Sequence, residues 1–297
     1  MRALKWLGYI VGVLIALIVV AVGTVYAVSA SKMGKSYPTT VESVPVPTDP
    51  ASVERGKHLV EAVGKCQSCH GENYAGTRVM DAAVFAKLSA ANLTSGKNGI
   101  GGKFTDADYV RAIRHGVGVD GKTLLFMPAE AYYYFNDTDL GQIIAYLKTL
   151  PAVDAAPAVR SVGPVGRAVG LLTPMPLFSA ARASHSEPRP AAVTEGVTAE
   201  YGEYLAKTGG CTSCHGANLS GGGKIDGVLA LNLTPGGEVG SWTEADFMKA
   251  IRTGVTPKGR ILSAAMPWPY AKNMTDDEIR ATWMYIHSLP AKKLGEN

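Results

Sequence analysis

Cysteine and histidine are scarce in this chain of 297 residues, with four of the first and six of the second. Charge of one sign is lacking as well. Residues 51–151 carry eleven Lys and Arg against ten Asp and Glu, and residues 198–290 carry eight against nine, so the net +4 comes mostly from the termini and a connecting stretch. That balance leaves no basic footprint for nucleic acid, and no lysine ring of the kind that steers a freely diffusing protein to its partner. Glycine runs occur at Gly99 to Gly102 and Gly221 to Gly223, but without the strand context of a nucleotide-binding loop, and they read as surface turns.

What the chain does have is concentrated. All four cysteines fall in two copies of one five-residue word, Cys66-Gln67-Ser68-Cys69-His70 and Cys211-Thr212-Ser213-Cys214-His215. Cys-x-x-Cys-His is the signature of covalent c-type haem attachment. At a helix start, cysteines three apart lie on one side of the backbone. Two thiols there can form thioethers to the two vinyl groups of one porphyrin, and the adjacent histidine can bind the iron. A zinc site has no use for a histidine directly after each pair. A thioredoxin-like pair would need one copy and a βαβ setting, and disulfides leave the histidines unexplained. The expected cofactors are two covalently bound haem c groups, attached through Cys66, Cys69, Cys211 and Cys214, with His70 and His215 on the irons.

The words sit inside a longer repeat. Laying Cys211 on Cys66 brings Asn232-Leu233-Thr234 onto Asn92-Leu93-Thr94, and Trp242 to Phe247 onto Phe104 to Tyr109. It also brings Ala250 to Val255 onto Ala112 to Val117, Met266-Pro267 onto Met127-Pro128, and Tyr285 to Pro290 onto Tyr146 to Pro151. In each copy a short helix, near Val53 to Val63 or Ala199 to Thr208, should run into the cysteines. A second should open at Thr105 or Thr243, each followed three positions on by an acid in the capping-box pattern. A third should open at Asn136 or Thr275 and end before Pro151 or Pro290. Its apolar face comes from Leu140, Ile143, Ile144 and Leu147, or from Ile279, Trp283 and Ile286.

This order of parts resembles the class I c-type cytochromes. The likeness covers nearly all of residues 51–151 and 198–290. It implies a mainly α fold of two tandem class I cytochrome c domains, and it sets Gly56 with Tyr146, and Gly202 with Tyr285, at the close crossing of first and last helices. It also implies Met127 and Met266 as distal iron ligands, 57 and 51 residues after their histidines. More narrowly, the W-T-E-A-D-F and A-M-P-W-P-Y stretches look like those of cytochrome c subunits of membrane-bound bacterial dehydrogenases. Met80 lacks a counterpart in the second copy, and Met175-Pro176 lies in the connector. His58 and His115 read as surface or supporting residues, and His185 and His287 have no haem spacing. Arg114 and Arg252 could bond haem propionates or main-chain carbonyls, or equally stand solvated at a helix end. Asn92-Leu93-Thr94 and its counterpart fit the glycosylation sequon, but their shared place in the repeat favours a loop turn.

Trp6 to Val28 is 23 residues without a charge. As a helix it would extend about 34 Å, enough for a bilayer. Signal peptides have shorter apolar cores, so an uncleaved transmembrane helix is expected; Val28-Ser29-Ala30 resembles a cleavage site and keeps removal as the alternative. Flanking charge does not orient the segment, since Arg2 and Lys5 are matched by Lys32 and Lys35. The cytochrome resemblance does, because it implies haem attachment outside the bacterial inner membrane and hence periplasmic haem domains. The expected layout is an anchor over 1–30, a tether over 31–50, cytochrome domains over 51–151 and 198–290, a linker over 152–197 and a tail over 291–297. The proline-rich linker carries an apolar patch at Leu171, Leu172, Leu177 and Phe178, which favours a strap packed across both domains over a free spacer.

These features imply a protein with no catalytic residue of its own. It is expected to carry electrons between a respiratory or dehydrogenase partner and a downstream acceptor, within a membrane complex. The alternative is a dihaem peroxidase-like enzyme, which would need an open distal position, or a structural haem subunit. Two covalent haems per chain are expected in a pyridine haemochrome assay of denatured protein, and one after joint Cys66→Ala and Cys69→Ala replacement. Retention of both haems by that variant would remove the assignment.

Overall fold

Helix ends follow from local chemistry along most of the chain. The computed structural model describes residues 2–173, 177–189, 192–225 and 227–296. Helix α1, Arg2–Gly34, is long and apolar enough over Leu4–Gly34 to cross a membrane, judged by length and composition. Helix α2, Pro50–His58, is capped by Asp49, whose carboxylate accepts the Ser52 N–H at 2.9 Å, and has proline in its first turn where no donor is needed. It continues into one π turn, Leu59–Val63, and then into the short motif helix α3, Gln67–His70. A hairpin follows, β1 Arg78–Ala82 against β2 Ala86–Ser89. Helix α4, Asp106–His115, starts at a Thr105–Asp108 capping box and stops at Gly116, whose φ of 62° suits glycine. The short α5, Ala129–Tyr132, follows Met127-Pro128, and α6, Asp137–Lys148, closes the first repeat with Asn136 as its cap.

The connector does not hang free. Its strand β3, Arg160–Val162, pairs antiparallel with β2 in the order β1-β2-β3, in a register that sets Ala86 opposite Val162 and Leu88 opposite Arg160. Helices α7, Pro164–Leu172, and α8, Ser179–Arg182, follow. Leu177 and Phe178 are buried with Ala86, Leu88 and Val162, whereas Leu172 is 81% exposed. Of the connector's apolar patch, then, only Leu177 and Phe178 belong to a core.

The second repeat runs through α9, Ala199–Thr208, the motif helix α10, Cys211–His215, a minimal hairpin of β4, Lys224–Ile225, and β5, Val228–Leu229, then α11, Glu244–Thr253, α12, Trp268–Ala271, and α13, Asp276–Ser288. Capping boxes at Thr243 and Thr275 start α11 and α13 as their sequences require. One difference from the first repeat is instructive. Gly56 precedes Cys66 by ten residues, but Gly202 precedes Cys211 by nine. The π turn at Leu59–Val63 absorbs the extra residue, the usual way a helix takes an insertion near a functional site.

In each repeat the first and last helices cross with their backbones nearly touching. A Cβ built on Gly56 would lie 1.9 Å from the Gln142 carbonyl oxygen, and one on Gly202 1.9 Å from that of Ala281 and 2.8 Å from Cβ of Tyr285. Only glycine permits either crossing. The apolar faces so gathered, among them Leu59, Val63, Leu140, Ile144 and Leu147, form a core that continues into Tyr201, Tyr204, Leu205 and Ala281 of the second repeat.

The interface between repeats is a near-symmetric exchange. Tyr204 on α9 donates to Asp139 in the first turn of α6 at 2.5 Å, and its oxygen accepts from Asn136. At the equivalent positions His58 on α2 sits 2.8 Å from Glu278 in the first turn of α13, joined by Arg55 at 2.9 Å. Burial pushes the Glu278 carboxyl up, but the His58 hydrogen bond and charge, the Thr275 amide and Arg55 outweigh it and hold the group at about 2. Since this pKa is depressed, the stability Glu278 contributes is present above its ordinary value near 4.5 and is lost as pH falls toward about 2.

Two outcomes are expected from urea unfolding of the holoprotein. Gly202→Val should cost about 3 kcal/mol through overpacking at the crossing, and an unchanged midpoint would show that the helices can part. Glu278→Gln should flatten the loss of stability between about pH 4.5 and 2. An unaltered acid limb would show that another carboxylate governs it.

Candidate functional site

Each motif helix presents its cysteines and histidine in the same way. Glycines at φ near 80°, Gly71 and Gly216, turn the chain away directly after His70 and His215. His70 Nδ1 lies 2.7 Å from the Ala91 carbonyl, and His215 Nδ1 lies 2.7 Å from that of Leu231. A carbonyl only accepts, so Nδ1 carries the proton in both rings and Nε2 keeps its lone pair for a metal. Burial lowers both imidazole pKa values against the smaller opposing effect of that bond, which keeps the rings neutral and able to ligate. None of the four cysteines is paired in a disulfide. Burial pushes Cys66 up to about 12 and raises Cys211 and Cys214. Among the described residues no group of three or more His, Cys, Asp or Glu is gathered as a zinc site would need.

The two Met-Pro segments also share a geometry. The Ala129 N–H donates to the Met127 carbonyl at 2.8 Å, and the Trp268 N–H to the Met266 carbonyl at 2.8 Å, each just before a single-turn helix. Met127 packs on the same core as Cys66. Its own N–H donates to Ser179 Oγ of the connector at 2.9 Å. In the second repeat Cys211, Cys214, His215 and Met266 line one cavity of about 1530 Å³, its mouth to solvent included, with walls from Trp242, Phe247, Ile251 and Leu262. An apolar slot with two thiols and a free imidazole nitrogen among its lining residues, and a thioether too, suits a covalently held porphyrin.

The cavity is not built by the second repeat alone. Val63 and Lys65 from the first repeat line it. Lys65 occupies the left-handed region at φ 53°, where the second repeat has Gly210 at φ 74°. Its ammonium donates to the carbonyls of Val63 and Gly209, both at 2.7 Å. Burial lowers its pKa, against an opposing effect of the neighbouring cysteines. Conversely α5, beside Met127, contacts α10 and α9 of the second repeat. The two Cys-x-x-Cys-His segments are therefore brought together across the interface. Nothing in the sequence signals this apart from the one-residue insertion ahead of Cys66.

Other residues singled out in the sequence fall elsewhere. Met80 lies on β1 and packs against the connector's apolar cluster; Met175 lies outside the described residues. Arg114 is fully buried and donates to the Phe135 carbonyl at 2.9 Å and Asp137 at 2.8 Å. Arg252 likewise donates to the carbonyls of Lys272 and Met274 and to Asp276. Both tie the end of one helix to the start of the last, through peptide carbonyls and one carboxylate each. His58 belongs to the interface described above, and His115 is buried rather than superficial, 3.1 Å from His185. Burial, against the pull of Glu42, brings His115 down to about 4. Asn92 and Asn232 are buried too. Each side-chain oxygen accepts from the threonine two residues on, and each amide donates to the chain beyond the last helix, at Val153 and Lys292. Gly99 is likewise buried, pressed against the Thr94 carbonyl, so that glycine run is not wholly a surface turn.

A repeated Cys-x-x-Cys-His helix facing a Met-Pro turn, within crossed first and last helices, defines a c-type cytochrome. Two stretches of the chain match cytochrome c families: residues 199–290 match the family described as cytochrome c, and residues 51–147 match subunit III of cbb3-type cytochrome c oxidase. Covalently bound haem c is the cofactor of such domains. Over longer stretches the chain is similar to the fructose dehydrogenase cytochrome subunit of Gluconobacter japonicus, with 27% identity over 283 residues, covering 86% of this chain and 57% of the relative. It is also similar to the cytochrome c subunit of the quinone alcohol dehydrogenase of Gluconacetobacter polyoxogenes, at 27% over 274 residues, 82% of this chain and 57% of the relative. The gluconate 2-dehydrogenase cytochrome c subunit of Pantoea cypripedii is 34% identical over 98 residues, 29% of this chain and 22% of the relative. The chain thus spans little more than half the length of the first two.

Proposed function

We propose that this chain is a membrane-anchored carrier with two haem c groups, taking electrons from a dehydrogenase partner and delivering them to an acceptor on the periplasmic face of a bacterial inner membrane. Each group would be held by Cys66 and Cys69, or Cys211 and Cys214, with His70 and Met127, or His215 and Met266, on its iron. When bound, haem c supplies reversible one-electron chemistry. The chain's own work is to hold each imidazole as the Nδ1–H tautomer, to exclude water with apolar walls, and to keep the two attachment segments in contact. That last feature carries the reading: Val63 and Lys65, beside one motif, form part of the cavity of the other.

Several observations support the remaining parts. The similar chains named above are cytochrome subunits of dehydrogenases, which makes a dehydrogenase the expected donor. Helix α1 has the length and apolarity of a span, and a haem-binding region beyond it suits the side of the membrane where haem is attached. Met127 and Met266, each held by the same kind of turn, would complete the iron's ligands in their repeats and would raise its potential relative to a second histidine. A closed iron carries electrons and lacks the open site that peroxide chemistry needs.

The oxidised protein should show the weak near-infrared absorption of a ferric iron–thioether bond, and the reduced protein should bind carbon monoxide slowly or not at all. Met127→Ala and Met266→Ala should each remove about half of that band, one of the two equal thioether bonds, and open one haem to carbon monoxide. Rapid carbon monoxide binding or brisk peroxide turnover by the unaltered protein would favour the enzyme reading for the haem concerned.

A further inference from the structure

The connector's helix α7 makes a contact that electron transfer does not require. It packs along the last turns of α1. Arg167 lies with its guanidinium 4.6 Å from the Tyr26 ring centre and donates to Ser29 Oγ at 2.8 Å. Ser29 is fully buried, and Met33, one turn on, packs against the cluster of Leu177 and Phe178. The end of α1 is thereby fixed to the first repeat. A bilayer core of about 30 Å takes about 20 helical residues. Counted from Trp6, where the uncharged run begins, it ends near Val25, next to Tyr26. Tyr26 and Arg167 then fall at the level of the headgroups, where an aromatic ring and a long cationic side chain are both well placed.

The surface beside that contact is apolar. The sequence of α7 holds one charge, Arg167, and it is engaged. Val165 is 48% exposed and Leu172 is 81% exposed, seven residues apart and so on one side of the helix. Val84, 63% exposed, adjoins Val165 at the tip of the β1–β2 hairpin, where its carbonyl accepts the Val165 N–H at 2.9 Å. Ala82 and Ala83 beside it are exposed as well. The patch lies on and beside the helix that packs against α1, and the exposed Lys32 and Lys35 flank the exit with the charge that anionic headgroups attract.

We propose that α7 and the hairpin tip lie in the headgroup layer, so that the first repeat docks on the lipid surface next to the point where α1 leaves it; this rests on the reading of α1 as a membrane anchor. Val165, Leu172 and Val84 would meet the acyl boundary, and Arg167 would brace the anchor against the domain. The first repeat is then held in one orientation to the membrane instead of swinging on a tether.

The full-length holoprotein in phosphatidylcholine–phosphatidylglycerol vesicles provides the test, because covalent haem attachment uses the native thiols and leaves an introduced one unique. Nitroxide labels at Leu172→Cys, Val84→Cys, Leu14→Cys within α1, and Ile261→Cys on the exposed second repeat would be compared for collision with oxygen and with a water-soluble nickel chelate. The expected oxygen-to-nickel ratio at Leu172 and Val84 is several-fold above that at Ile261 and approaches that at Leu14. A ratio at Leu172 and Val84 equal to that at Ile261, with Leu14 immersed, overturns the docking and leaves the anchor standing. If Leu14 itself is open to nickel, the anchor reading falls, and the docking falls with it.

Discussion

The structure depends on the crossing of first and last helices at a glycine. At Gly56 and again at Gly202 the backbones approach so closely that a single added carbon would overlap a carbonyl oxygen. That approach fixes the direction in which the first helix delivers the cysteine motif, and it brings the apolar faces of the two helices together. The proposed haem slot lies beside this joint. Its imidazole is oriented by a carbonyl of the loop that follows the motif, and its thioether by a proline turn ahead of the last helix. Arg114 and Arg252 serve the same joint from the other end, each bonding the peptide oxygens that lead into the last helix.

The same architecture used twice produces a third structure, the interface. Equivalent positions, His58 with Tyr204 and Asp139 with Glu278, reach across to the opposite repeat with different chemistry. One pairing is a phenol on a carboxyl; the other is an imidazole and a guanidinium on a carboxylate. Both use the acidic residue in the first turn of a last helix, where that helix's dipole also favours negative charge. The arrangement brings the residues just ahead of one attachment segment, Val63 and Lys65, to the cavity of the other. The insertion taken up by the π turn puts Lys65 where it can bond the carbonyl of Gly209 and seal the edge of the neighbouring cavity.

The connector breaks the symmetry. It adds a strand to the hairpin of the first repeat and covers Thr123, which the Ala180 N–H and Arg160 both engage, whereas the counterpart Ile261 stands 74% exposed. The first repeat is therefore bound to α1 and the strap, and the second presents its corresponding face to solvent. A shared sequence pattern thus yields two units with unlike surroundings.

Much of this was legible in the chain itself. The paired motifs, the internal repeat, the Thr105, Thr243 and Thr275 caps and the apolar length of α1 are local features, and local chemistry decides them: side-chain oxygens cap, glycine turns, and periodicity selects the buried face. The sequence by itself also set Met127 and Met266 at one place in the repeat. It could not say that Arg114 is buried on carbonyls, that His115 lies inside beside His185, or that Leu172 points outward while Leu177 and Phe178 are buried. Those outcomes depend on which surfaces meet, and partners such as His58 and Glu278 are 220 residues apart. The cavity of the second repeat is partly walled by the first for the same reason: only packing of the two repeats determines which residues, remote in the chain, become neighbours.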